Sequence, residues 1–131
     1  MSVSPLNDLV VKLKTGCLGR KQFVYILKSN LTISLVSSLF NLGLISAYEV
    51  EPNSFYIKVF LKFFENSAVI KNIVRVSKPS RRIYSSSSLL RNHFKYKRKT
   101  FLFLTTSQGI LSKDEALALN VGGEVLLEVF V

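Results

Sequence analysis

The stretch from Phe101 to Ala116, FLFLTTSQGILSKDEA, carries three physical instructions in succession. Phe101 to Leu104 form a continuous apolar run, which a chain of this size buries as a strand. Ser112, followed three residues later by Glu115, is a capping box and opens a short helix over SKDEALAL. Between the two lie the hydroxyls of Thr105, Thr106 and Ser107, then Gln108 and Gly109. A strand hands over to a helix through a neutral, hydroxyl-rich turn, close to the amides of the helix's first turn. The spacing leaves two readings of these hydroxyls. They are ordinary strand, turn and cap residues, or they are donors and acceptors suited to ribose hydroxyls, phosphate oxygens and base edges in the shallow groove of an RNA helix.

Working outward, EVLLEVFV after Gly122 and Gly123 reads as a closing strand, and VIKNIVRVS and RRIY read as short strands separated by KPS. YKRK, Tyr96 to Lys99, is a basic tip before the apolar run. The second half is therefore rich in strand, with one short helix. The first half reads differently. Leu6, Leu9, Val10 and Leu13 give a helix with one apolar stripe, with Pro5 in its first turn and Gly16 and Gly19 at its exit. Lys12 lies on one flank of that stripe and Lys14 on the other, each either a solvated charge or a phosphate contact. QFVYIL is a strand. A second helix spans about Asn30 to Leu42, with Leu31, Leu35, Leu39, Val36 and Phe40 at four-residue spacing and Gly43 placed to end it. LISAYEV and SFYIKVFLKFF flank the turn residues EPNS as a hairpin. The expected fold is α+β with two small lobes. Residues 1–66 form an N-terminal α/β lobe in the order helix, strand, helix, strand, strand, and residues 67–131 form a β-rich C-terminal lobe. The polar punctuation ENSA, Glu65 to Ala68, marks the division.

The 131 residues include 18 Lys and Arg against 8 Asp and Glu, a net charge of +10. That excess points to a polyanion, RNA or DNA before an anionic membrane surface. No apolar run approaches the roughly 18 residues of a membrane span. One cysteine, Cys17, excludes an internal disulfide and a cysteine-rich zinc site. The single histidine, His93, has no carboxylate or cysteine beside it, and Gly122–Gly123 lacks the spaced glycines and lysine of a phosphate loop. Catalysis, a metal, a cofactor and a small-molecule substrate are all without residues to carry them. The opening MSVSPLNDLVVKLK has neither a signal-peptide core nor an Arg- and Ser-rich transit pattern, so no removable segment is expected.

SKPSRRIY, TTSQGILSKDEA and NVGGEVL fall in the order and spacing that resemble the bacterial-type S-eight family, the eighth protein of the small ribosomal subunit, and SPLNDLVVKLKTG resembles that family's opening helix. The resemblance covers essentially the whole chain. It implies a non-catalytic primary binder of the central domain of small-subunit ribosomal RNA, with neighbouring ribosomal proteins as further partners. It also implies RNA-binding residues: Thr105, Thr106, Ser107, Gln108 and Gly109 in the hydroxyl turn, Gly122, Gly123 and Glu124, and Tyr84. The glycines would let backbone approach RNA, Glu124 would accept from a base amino group or lock the hydroxyl turn, and Tyr84 would stack on an unstacked base or pack in the core. Gln108 stands where the family usually has Lys, Ser80 where it generally has Gly, and YKRK replaces a glycine-rich hairpin. The Phe, Leu, Asn and Lys richness resembles chains encoded in AT-rich organellar genomes, so the expected location is the mitochondrial ribosome, with plastid or bacterial cytoplasm as alternatives. A different class of function, a free translational regulator that binds an RNA helix of the same shape, fits the same residues.

Overall fold

The computed structural model describes residues 4–78, 80–88 and 100–131. The basic tip Tyr96–Lys99 and His93 lie outside them. The architecture is mixed α and β, with helix and strand alternating early and a β-rich second part that holds the short helix Lys113–Ala118. Two compact units divide between Ile73 and Val74. The stretch ENSA proves to be a turn. Glu65 and Asn66 take φ of 50° and 65° and join β4 (Phe63–Phe64) to β5 (Ser67–Ala68), the positive-φ pair that a two-residue hairpin demands. The expected division after residue 66 thus falls on a hairpin turn.

In the first unit, α1 (Pro5–Leu18) and α2 (Asn30–Asn41) pack on each other and on an antiparallel sheet ordered β1 (Phe23–Leu27), β3 (Tyr56–Leu61), β2 (Ile45–Val50). Strand alternation sorts the sides. Val24, Ile26, Ile57, Val59 and Leu61 are buried with Leu6, Leu9, Leu13, Leu35, Val36 and Leu39 of the helices. Phe40, expected in the α2 stripe, is instead 44% exposed and meets Tyr48 edge-on, while Thr32 is fully buried. The reason is the cap: Thr32 Oγ1 accepts from Ser29 N and donates to Leu27 O, and Ser29 Oγ accepts from Thr32 N, so one hydroxyl pair ties α2 to β1. Gly43, at φ 76°, ends the helix as its position suggested. Gly16 is interior to α1, where an added Cβ would stand 2.7 Å from Val24 Cγ1, so the missing side chain is what seats the helix on the sheet. Cys17 is half-buried beside it, and burial pushes its thiol pKa up.

A second sheet is ordered β6 (Asn72–Arg75), β10 (Gly123–Phe130), β8 (Thr100–Thr106), β9 (Gly109–Ser112), all in the second unit but for Asn72 and Ile73, and β7 (Tyr84–Ser85) also pairs with β10. The third helix, α3 (Lys113–Ala118), packs Ala116 with Leu102, Leu104, Leu111 and Val125 into the core. The sequence passes from strand to helix by way of β9, so the hydroxyl turn is the bend of a β-hairpin and not a strand-to-helix junction. The capping box forms as expected: Glu115 N donates to Ser112 Oγ, and Ser112, 3% exposed, donates to Glu115 Oε1 at 3.0 Å.

These two caps predict matched behaviour. Ser29→Ala and Ser112→Ala should each lower folding stability by about 0.5–2 kcal/mol, read by chemical denaturation. A Ser112→Ala protein as stable as its parent would show that the cap contributes nothing.

Candidate nucleic-acid interface

The sheet register gathers residues that lie far apart in the chain. Along one row, Gly123 pairs with Ser85 of β7 and with Thr106 of β8, and Thr106 pairs with Gly109 of β9. The adjacent row runs Tyr84, Glu124, Thr105, Ile110. Residues of one row project to the same side. Thr105 is exposed, Tyr84 is 68% exposed, and the next row toward the core, with Leu104 and Val125, is buried. Tyr84 therefore does not pack in the core. Seven of the expected residues, Tyr84, Thr105, Thr106, Gly109, Gly122, Gly123 and Glu124, meet at this end of the sheet, and Ser107 and Gln108 form the hairpin bend beside them.

The two glycines have a cause inside the protein. A Cβ on Gly123 would run into Thr105 O and stand 2.9 Å from Thr105 C, and one on Gly122 would meet Ser85 O and stand 2.7 Å from Ser86 Cα. Both obstacles are backbone. The close approach expected of an RNA is made first by β7 and β8. Gly109 answers a different need: it has nothing within 4 Å but takes φ of 101°, while neither Ser107 nor Gln108 has a positive φ. That is the arrangement of a turn closed by a left-handed glycine.

The hydroxyls divide into two sets. Thr106 Oγ1 donates to Gly109 O at 2.9 Å and accepts from Gln108 N at 3.1 Å, so it is consumed in shaping the bend. Ser112 is consumed in the α3 cap. The side chains of Thr105, Ser107, Gln108 and Tyr84 make no hydrogen bond among the described residues and face solvent. Donors and acceptors in that state lose nothing until a partner arrives, and then supply direction.

Glu124 does not lock the hydroxyl turn. Its carboxylate accepts from Arg82 Nη1 at 3.0 Å, with the carboxylate side chain 13% and the guanidinium side chain 54% exposed. An exposed pair of this kind adds little stability, but it fixes where a cation is held. Arg82 is the residue that the sequence reading passed over. The signal was available in RRIY: Arg82 precedes Tyr84 by two, the spacing of one strand face. Ser77 steadies the same arm: 2% exposed, its Oγ accepts from Ile83 N at 2.9 Å and donates to Ile83 O, while Lys78 and Arg81 exchange backbone hydrogen bonds. Lys12 and Lys14 stand exposed on α1, in the other compact unit.

Residues 4–130 match the family model described as Ribosomal protein S8. The chain is 36% identical over 134 residues to "Small ribosomal subunit protein uS8" of Anaplasma marginale, covering 99% of this chain and all of that one. It is 38% identical to the protein of the same name from Rhodospirillum centenum, over 96% of both chains. It is 32% identical to "Small ribosomal subunit protein uS8m" of Acanthamoeba castellanii, over 97% of this chain and 99% of that one. The chain belongs to the ribosomal protein S8 family.

The two glycine types predict different losses. Gly123→Ala must push β8 away from β10 and should cost about 3 kcal/mol or more. Gly109→Ala meets no atom and should cost only about 1–3 kcal/mol, through its backbone angle alone. Thermal melting of both variants checks the order; a Gly123→Ala protein no less stable than Gly109→Ala would refute the contact.

Proposed function

We propose that this chain is a structural, non-enzymatic component of the small ribosomal subunit that binds the central domain of small-subunit ribosomal RNA and supports its folding during assembly. The reading rests on one observation above all: exposed Thr105, Ser107, Gln108 and Tyr84, whose side chains have no hydrogen-bond partner among the described residues, gather at one sheet end with a guanidinium held by Glu124. A helical RNA with a bulge presents ribose hydroxyls and base edges in a shallow groove and at least one base free to stack. Ser107 and Thr105 hydroxyls suit the groove, Tyr84 suits the free base, and Arg82, held by Glu124, suits a phosphate between them. Gly122, Gly123, Gly109 and Thr106 act by shaping that end of the sheet. The remaining cations, Lys12 and Lys14 among them, add sequence-independent attraction.

Within the family, the mitochondrial ribosome is the proposed site of action. Its support is the AT-rich character of the residue usage, together with the likeness to the protein named uS8m of Acanthamoeba castellanii. Bacterial relatives are matched at higher identity, 36% and 38% against 32%. Sedimentation of organelle and cytosol fractions decides the compartment, and stoichiometric recovery in small subunits separates a ribosomal component from a free regulator.

Ser107→Ala should weaken binding to a central-domain RNA fragment by about 1–3 kcal/mol with the melting temperature unchanged, because RNA groups lose a partner in a desolvated contact. Arg82→Gln should reduce the slope of log affinity against log salt by about one unit. Parent-like affinity for Ser107→Ala would remove the hydroxyl bend from the interface.

A further inference from the structure

The outward face of the N-terminal sheet is aromatic, and the RNA-facing rows of the second unit make no use of it. Alternation sets Phe23 and Tyr25 on the side opposite Val24 and Ile26, and register puts Phe60 and Lys58 beside them, with Tyr56 next along β3. Tyr25 and Tyr56 are 48% and 45% exposed. Leaving such rings in water forgoes the stabilisation that burial gives, and their grouping into one patch marks a contact surface.

Two features say what kind of contact. Tyr25 meets Phe23 at 82° and Tyr56 at 76°, with centroids 5.5 and 6.5 Å apart, so no pair in the group is stacked face to face. The neighbours hold Tyr25 in place and leave ring surface available. The second feature is positive charge among the rings. Lys58 Nζ lies 4.3 Å from the centroid of Phe23 and 5.0 Å from that of Phe60, and Lys12 and Lys21 line one hollow with Phe23 and Tyr25. A protein partner would have to desolvate the Lys58 ammonium in the middle of its contact, and such interface centres are depleted in lysine. Nucleic acid uses both parts together: flat bases for rings, phosphates for ammonium groups. A duplex keeps its base faces stacked on one another, so the fit is to unpaired nucleotides. Glu49 pairs across from Lys58 on β2, which directs the phosphates along β1 and away from that edge.

The geometry points to a second RNA surface, on which unpaired single-stranded RNA stacks its bases on Tyr25 and Tyr56 and sets its phosphates against Lys12, Lys21 and Lys58. The inference stands on the first unit alone and does not require the hydroxyl bend to be an RNA site.

The test uses the full chain and a labelled single-stranded oligoribonucleotide of about eight nucleotides, followed by fluorescence anisotropy. The chain has no tryptophan, so quenching of tyrosine emission on binding is a second reading of the same event. Replacing Tyr25 and Tyr56 together by leucine should raise Kd at least about fivefold per lost ring, and replacing both by phenylalanine, which keeps the rings, should leave Kd unchanged. Lys21→Gln should lower the salt slope by roughly 0.7, the single-strand value for one phosphate. Binding of the bulged central-domain helix should be the same in the leucine and phenylalanine variants. The inference is overturned if the parent protein does not bind the single strand, if the leucine variant binds it as well as the parent, or if leucine and phenylalanine variants weaken alike. It is also overturned if a photo-cross-linker at position 25 in assembled small subunits captures a protein instead of RNA. Loss of bulged-helix binding in Ser107→Ala with single-strand binding intact supports both surfaces, whereas single-strand binding lost in Ser107→Ala but kept in the leucine variant assigns it to the second unit and sinks this proposal.

Discussion

The second unit depends on two residues that have no side chains. β10 lies between β7 and β8 at its first two positions, and at Gly122 and Gly123 there is no room for a single added carbon on the facing side. Everything at the sheet end follows from that closeness. It brings Glu124 level with Thr105 and Tyr84, it keeps Thr106 opposite Gly123, and it thereby aims the hairpin bend that carries Ser107. Glycine here is required by the protein's own backbone, and any surface the row offers to an RNA is a product of that packing.

The charge distribution is organised on the same principle of fixing position at small energetic gain. Glu124 holds a guanidinium two residues from Tyr84. Thr106 gives up its hydroxyl to the bend so that the hydroxyl of Ser107 stands free of it. In the first unit, Ser29 and Thr32 bind α2 to β1 through a pair of hydroxyls, one of them fully buried. Polar side chains in this chain act as locators, and apolar burial supplies the stability.

Much of this was legible in the sequence because periodicity and caps report local physics. The Ser112–Glu115 box, the α1 stripe, Gly43 as a helix stop and the hairpin around EPNS each need only neighbouring residues to be read. What escaped reading depends on contacts across the chain. GILS looks like an ordinary approach to a capped helix until β8 is known to pair with it, and only then does it become β9. Glu65–Asn66 reads as polar punctuation between lobes until two positive φ values and the pairing of Phe64 with Ser67 make it a hairpin turn. Arg82 looked like one basic residue among several, because its partner Glu124 is supplied by a strand whose register no local pattern encodes. The resemblance to a known family supplied the candidate site residues, and register and hydrogen bonding sort them into those that shape the sheet end and those whose side chains face solvent.

The order in which the chain is made gives β10 one more consequence. As the central strand of its sheet, it is synthesised after β6, β7, β8 and β9, all of which must wait for it or for one another to be paired. The first unit, whose β1–β3 register joins Phe23 to Phe60, is complete in the chain before the second, whose sheet is completed from its far end. During that interval the apolar run Phe101–Leu104 has β9 on one edge and an open ladder on the other, a stretch prone to pairing with other chains. Glu124, Gly123 and the closeness they impose arrive with this strand, so the row that joins Tyr84, Glu124 and Thr105 exists only once β10 is in place.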